Sequence, residues 1–250
     1  MRAAELGRGG IAAVSFLTRL PVGRAILLDG GDLARGAAFF PLVGAGIGAA
    51  VGGIAAGLAH IVSPLVAAGL AVCAGTLLTG ALHLDALADT ADALTAGRAR
   101  ALEIMRDHAI GAYGAAALSL DLIVKTAALA GLTAQRQALW AAIAACSLSR
   151  AAPVALGALL PTLRTDGAGA AFRVSRVAAG AAVAIAAMVA VAAGRLHGLE
   201  LGGIASIGVV LLGVFFLRWL GGVTGDLLGS AAELTETLAL VAAAALVGAR

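Results

Sequence analysis

Apolar stretches of about 20 residues recur along this chain, and that is the length a helix needs to cross roughly 30 Å of hydrocarbon. They fall at 37–59, 62–82, 110–132, 138–160, 177–196, 202–222 and 237–249. The last is short and needs part of 227–236 to cross. Seven spans are therefore expected, with six plus an interfacial or re-entrant segment as the alternative. A mean hydropathy of +1.02 exceeds what a water-soluble core requires. Abundant alanine and 35 glycines suit helices that must pack closely without a hydrophobic force between them. The pattern predicts an all-α, polytopic membrane bundle over 1–250, in one domain, with no whole-chain repeat and no second soluble unit.

The opening "MRAAELGRGGIAAVSFLTRLPVGR" is interrupted by arginines and is not expected to act as a secretory signal. Cys73 and Cys146 both lie in apolar runs and read as small packing residues. The net charge of +3 does not point to nucleic acid, because the arginines sit at the ends of apolar runs with no basic stripe among aromatics. They read as topology determinants. With the N-terminus inside, Arg2, Arg8, Arg19, Arg24, Arg35, Arg98, Arg100, Arg106, Arg164, Arg173 and Arg176 are all cytoplasmic, leaving Arg136, Arg195 and Arg250 outside. The expected arrangement is N-in, C-out. It puts segments 83–109 and 223–236 on one cytoplasmic face, and those two segments carry most of the acidic residues.

In the first of them, "HLDALADTADAL" at 83–94, a helix would gather Asp85, Asp89 and Asp92 within an arc of roughly 60°. Three carboxylates on one face repel unless a cation lies among them. Oxygen donors without a nearby cysteine suit Mg²⁺ or Mn²⁺ better than zinc. A solvated acidic face is the plainer alternative, but the residues between are Ala, Leu and Thr and no lysine accompanies them. His83 alone is a weak ligand candidate.

The second segment reads "GGVTGDLLGSAAELTE", 221–236. Its glycines with Thr224 permit close backbone approach to phosphate oxygens. Asp226 and Glu233 are seven apart and share a helix face. Arg106 and Asp107 precede the third span, where an arginine also serves as an interfacial anchor. Within the spans stand Asp121 and Lys125, four apart, and Arg150. Charges at such depth are expensive and face a partner or a polar cavity. An Asp121–Lys125 pair leaves Arg150 unpaired, which makes it a candidate for an anionic ligand.

Several of these stretches, in order, resemble the cobalamin synthase (adenosylcobinamide-GDP ribazoletransferase) family: "FLTRLPV" at 16–22, "FPLVGAGIGA" at 40–49, "HLDALADTADAL", "EIMRDHAIGAYG" at 103–114, Lys125, "SR" at 149–150 and "GGVTGDLLGSAAELTE". The resemblance implies a multi-pass inner-membrane enzyme with its active site on the cytoplasmic face. The implied reaction is the last joining step of the cobalamin nucleotide loop: Mg²⁺-dependent coupling of adenosylcobinamide-GDP with α-ribazole or its 5′-phosphate, releasing GMP. It implies Asp85, Asp89, Asp92 and Asp226 as metal ligands and Glu233 or Glu236 as a further ligand or base. His83, Arg106, Asp107, Lys125, Arg150 and Thr224 would meet substrate. Two departures from the family pattern stand out. His108 and Ala109 replace a usual Ser-Arg, and Ala86 and Ala93 replace glycines. Membrane lipid is an expected partner, nucleic acid is not, and a homo-oligomer is left open.

Two other classes compete. A CDP-alcohol phosphotransferase also clusters aspartates in a membrane, but this chain lacks that family's DG…AR opening. An ion-coupled transporter would use Asp121, Lys125 and Arg150 as a relay, without the inverted repeat such proteins often carry.

Overall fold

The computed structural model describes residues 3–22, 27–107, 109–163 and 174–248, and every regular element in them is helical. Helix α1 (Ala3–Leu17) precedes α2 (Gly30–Gly36), which runs through a 3₁₀ turn into α3 (Phe40–Leu58). There follow α4 (Pro64–Thr79), α5 (Leu82–Thr95), the short α6 (Ala101–Ile104), α7 (Ala112–Ala134) and α8 (Ala138–Leu159). The last three are α9 (Arg176–Gly194), α10 (Leu196–Trp219) and α11 (Gly225–Gly248). Six segments are long and apolar enough to cross a membrane: Gly30–Leu58 and α7 to α11. A seventh exists only if α4 and α5 are counted together. The expected all-α polytopic bundle is what the chain forms.

Two of the expected spans need correction. The stretch 62–82 is not one straight helix: α4 has 16 residues, and the chain then turns by 91° into α5. Gly80 at φ 65° and Ala81 at φ 59° make that corner, both in the left-handed region that only glycine adopts without cost. Arg19, from the "FLTRLPV" stretch, braces it. Its backbone N–H donates to Leu78 O at 2.7 Å, and its guanidinium reaches Gly80 O at 3.5 Å. The second correction concerns the last span, which takes in not part of 227–236 but all of it. Beyond the Thr224 cap that stretch lies in the first half of α11, so Glu233 and Glu236 lie inside the last span. The arginines 2, 24, 164, 173 and 250 used for orientation lie outside the described residues, as does His108.

Helix α8 is the axle of the bundle, 67% buried against 22% for α9 and for α10. Helix α3 lies directly on it because Gly44, Gly48 and Gly52 present no side chain. A Cβ on Gly44 or Gly48 would overlap the carbonyl of Cys146 or Ala142, and one on Gly52 would come within 2.7 Å of Ala138 O. Close approach of this kind replaces the missing hydrophobic drive between helices in lipid. At the other end of the chain, Asp32 is fully buried between Arg8 (2.6 Å) and Arg35 (2.7 Å), tying α1 to α2. Both cysteines are free, Cys146 in the core and Cys73 on the outer surface.

Candidate active site

The corner at Gly80–Ala81 takes α5 out of the line of the spans and lays it against α7 and α11. Its buried face is His83, Leu84, Ala86, Leu87, Ala88, Thr90 and Ala93, while Asp85 is exposed and Asp89 and Asp92 are half-buried. Against α11 the contact is backbone-close: a Cβ on Gly229 would stand 2.5 Å from Ala86 Cβ. His83 lines the same cavity as Glu233, so the two helices run antiparallel. Asp89 is three residues beyond Ala86 and Asp226 three before Gly229. That register brings Asp89 and Asp226 level on neighbouring helices. The two acidic segments separated in sequence are thus one structural unit.

Three loops converge at the same end. Val223 N–H donates to Pro161 O (2.8 Å) and Leu163 N–H to Val223 O (2.9 Å), zipping the chain after α8 to the turn before α11. Gly222 must be glycine here, since a Cβ would overlap Pro161 O. Thr224 is buried and caps α11, accepting from Leu227 N–H at 3.2 Å and lying 3.6 Å from the Met105 sulfur. Its hydroxyl is therefore engaged in joining the 96–111 loop to α11. Arg106 and Asp107 are exposed on that loop, where Asp107 Oδ1 accepts from Ala109 N–H at 3.1 Å. Asp92 accepts from Gly111 N–H at 2.7 Å and Gly114 N–H at 2.8 Å.

The intramembrane charges form a separate cluster deeper in the bundle. Lys125 ion-pairs with Glu233, with Glu236 at 3.2 Å and with Asp121 at 3.5 Å. Arg150 ion-pairs with Glu236 and donates to Ser149 Oγ at 2.7 Å. Thr237 Oγ1 donates to Asp121 at 2.6 Å. Arg150 is therefore not left unpaired by the Asp121–Lys125 contact. Its partner is hidden in the sequence because Glu236 falls in the segment 223–236 that reads as cytoplasmic. Lys125 is 6% exposed and Arg150 3%. The cavity they share with His83 holds about 40 Å³, room for water molecules but not for a nucleotide. His83 Nδ1 and Arg150 Nε face no hydrogen-bond partner among the described residues. So the candidates divide in two. Asp85, Asp89, Asp92 and Asp226, with Arg106, Asp107 and Thr224, belong to the α5 end, whereas Lys125, Arg150, Glu233 and Glu236 close on one another. Ser149, Gly111 and Gly114, which belong to the "SR" and "EIMRDHAIGAYG" stretches but are not among the expected site residues, join these groups, as does Thr237, which no motif marks. The spacing S-R at 149–150 and G-x-x-G at 111–114 were the available signals.

The described residues thus form a multi-pass membrane bundle with an ion-paired core and an acidic helix bent across one end. The chain belongs to the cobalamin-5-phosphate synthase family, whose model matches residues 9–244. Adenosylcobinamide-GDP ribazoletransferase of Azorhizobium caulinodans is 44% identical to it, over 90% of each chain. The protein of that name from Sinorhizobium medicae is 41% identical over 93% of this chain and 94% of its own, and that of Escherichia coli 36% over 92% and 97%. No solved structure matches the chain at a significant level.

Proposed function

We propose that this protein catalyses the joining step its relatives are named for, moving adenosylcobinamide phosphate from adenosylcobinamide-GDP to α-ribazole or its 5′-phosphate. A ribose hydroxyl oxygen attacks the phosphorus that carries the cobinamide side. A new P–O bond forms, the bond to GMP breaks, and the hydroxyl proton is taken up. The observation that carries this reading is the antiparallel seating of α5 on α11 through Ala86 and Gly229, which brings both acidic motifs to one end of the bundle.

Such a transfer asks the protein mainly for positioning and charge neutralisation. The donors at this end are hard carboxylate oxygens, as Mg²⁺ prefers. Among the described residues no group of three His, Cys, Asp or Glu side chains is placed to hold a metal ion by itself. Mg²⁺ usually takes one or two carboxylates and completes its shell with water and substrate phosphates. Asp89 and Asp226, level with each other, would hold the ion, which neutralises charge on the diphosphate. Asp85, exposed and one turn away, is the carboxylate to accept the hydroxyl proton. Arg106 on the adjoining loop is the cation to meet a phosphate oxygen. Glu233, Glu236, Lys125 and Arg150 are occupied with one another and are not assigned to the reaction.

The test is GMP release from adenosylcobinamide-GDP and α-ribazole by purified membranes, with and without Mg²⁺. Release that needs both the acceptor and Mg²⁺ is expected, and its absence would end this reading. The inner membrane is the proposed location, with the α5 end facing the cytoplasm. In a background carrying Cys73→Ser and Cys146→Ala, Thr95→Cys should react with thiol reagents from the cytoplasm and Arg195→Cys only from outside. Labelling of both from one side would overturn the orientation.

A further inference from the structure

Helix α7 begins at Gly111, a residue in extended conformation with no side chain to cap the helix it opens. The first N–H groups of any helix lack internal acceptors, and an N-cap side chain ordinarily supplies one to the third helical residue. Here Asp92, from the last full turn of α5, does so from outside. One carboxylate oxygen takes the N–H of Gly111, the N-cap, at 2.7 Å, and the other takes the N–H of Gly114, the third helical residue, at 2.8 Å. Both glycines are required by this contact, since a Cβ on either would overlap the Asp92 carboxylate. At Gly114 it would also come within 3.0 Å of Ala88 O.

We propose that Asp92 is a positioning residue, not a ligand of the metal or the diphosphate: it clasps α5 to the start of α7 and so sets the angle at which Asp85 and Asp89 face the substrate. The helix is then fixed at both ends, by the Gly80–Ala81 corner with Arg19 at one and by the clasp at the other. The three aspartates at i, i+4 and i+7 have different duties. Two face the reaction, and the third gives both its oxygens to backbone N–H groups, where its charge also opposes the positive end of the α7 dipole. The inference rests on the transfer reading only for its kinetic arm.

Gly114→Ala complements Asp92→Asn, because it keeps the charge of the Asp92 carboxylate and only pushes it off its seat. Hydrogen exchange on the purified, full-length protein reads the clasp without reference to activity. The Gly111 and Gly114 amides should exchange at least about tenfold faster in Asp92→Asn and in Gly114→Ala, and at the parent rate in Asp89→Asn. In the transfer assay both clasp variants should lose about 10²-fold in kcat, the scale of a small misplacement of reacting groups. The Mg²⁺ concentration for half-maximal rate should not move in them, but should rise in Asp89→Asn. Protected amides in Asp92→Asn together with a raised Mg²⁺ requirement would make Asp92 a ligand and overturn the proposal. Full activity of Gly114→Ala with its amides exposed would do the same for the positioning role. If the parent protein releases no GMP, the transfer reading fails, and the exchange rates still decide whether the clasp exists.

Discussion

Lys125→Met should cost the protein about 3–5 kcal/mol, the penalty for stripping one partner from a buried ion pair. The reason lies in the company Lys125 keeps. Asp121, Glu233 and Glu236 all reach its ammonium, and without it Arg150 ion-pairs with Glu236 while Asp121 and Glu233 lose the cation they share. Against a total stability of roughly 5–15 kcal/mol, that loss is a large fraction. It should appear as a steep fall in thermal midpoint and in the yield of folded protein from detergent. Adding Glu233→Gln should recover part of the loss, because it returns the cluster to the net charge it has in the parent and removal of both partners of a buried pair is often tolerated. The double variant should bind the nucleotide substrate with an unchanged KM. A Lys125→Met protein of normal stability with a raised KM would instead mean that Lys125 meets a phosphate, against the ion pairing described above.

The second large effect is expected at Asp89→Asn. This change keeps side-chain size, so insertion and folding should survive. Turnover should fall by about 10²-fold or more, as when a metal ligand's or transition state's charge partner is removed. Asp226→Asn should follow it, because the Ala86–Gly229 register brings the two residues level. Measured GMP release near the parent rate at ordinary Mg²⁺ would remove Asp89 from the site. A silent Asp226→Asn would confine the reaction to α5 and the 96–111 loop.

What could be read from the sequence is what depends on local composition. Hydropathy identified the spans from 110 onward to within a few residues at most ends, and the DxxxDxxD spacing located the acidic helix. The corner at Gly80–Ala81 was hidden because glycine is everywhere in this chain and Ala81 is not a residue type that announces a positive φ. Glu233 and Glu236 were misread for a different reason. A carboxylate in an apolar helix looks aqueous until its counter-charge is known, and the counter-charges lie on α7 and α8. Misplacing them in turn made Arg150 look available to a ligand. The clasp was invisible in the same way: the cap for α7 comes from a residue 19 positions upstream, and Gly111 and Gly114 carry nothing but the room for it. Pairing across the bundle, not propensity, separates the acids left at the α5 surface from those that hold helices together.

The ion-paired core also bears on how the chain is made. Lys125 precedes its partner Glu233 by 108 residues, and Arg150 precedes Glu236 by 86. At ribosomal rates the cations therefore wait roughly 5–20 s for their counter-charges to be synthesised. During that interval each stands near the middle of a newly inserted helix at about 2.5–3.5 kcal/mol, with only Asp121 on hand to relieve Lys125. The closing helix, α11, arrives with two acids at comparable depth and would itself insert poorly alone. The two halves of the cluster thus make each other's residence in the bilayer tolerable only once the last helix has left the translocon. A chain ending before Gly225 would leave Arg150 without its carboxylate in the hydrocarbon, and Lys125 with Asp121 alone.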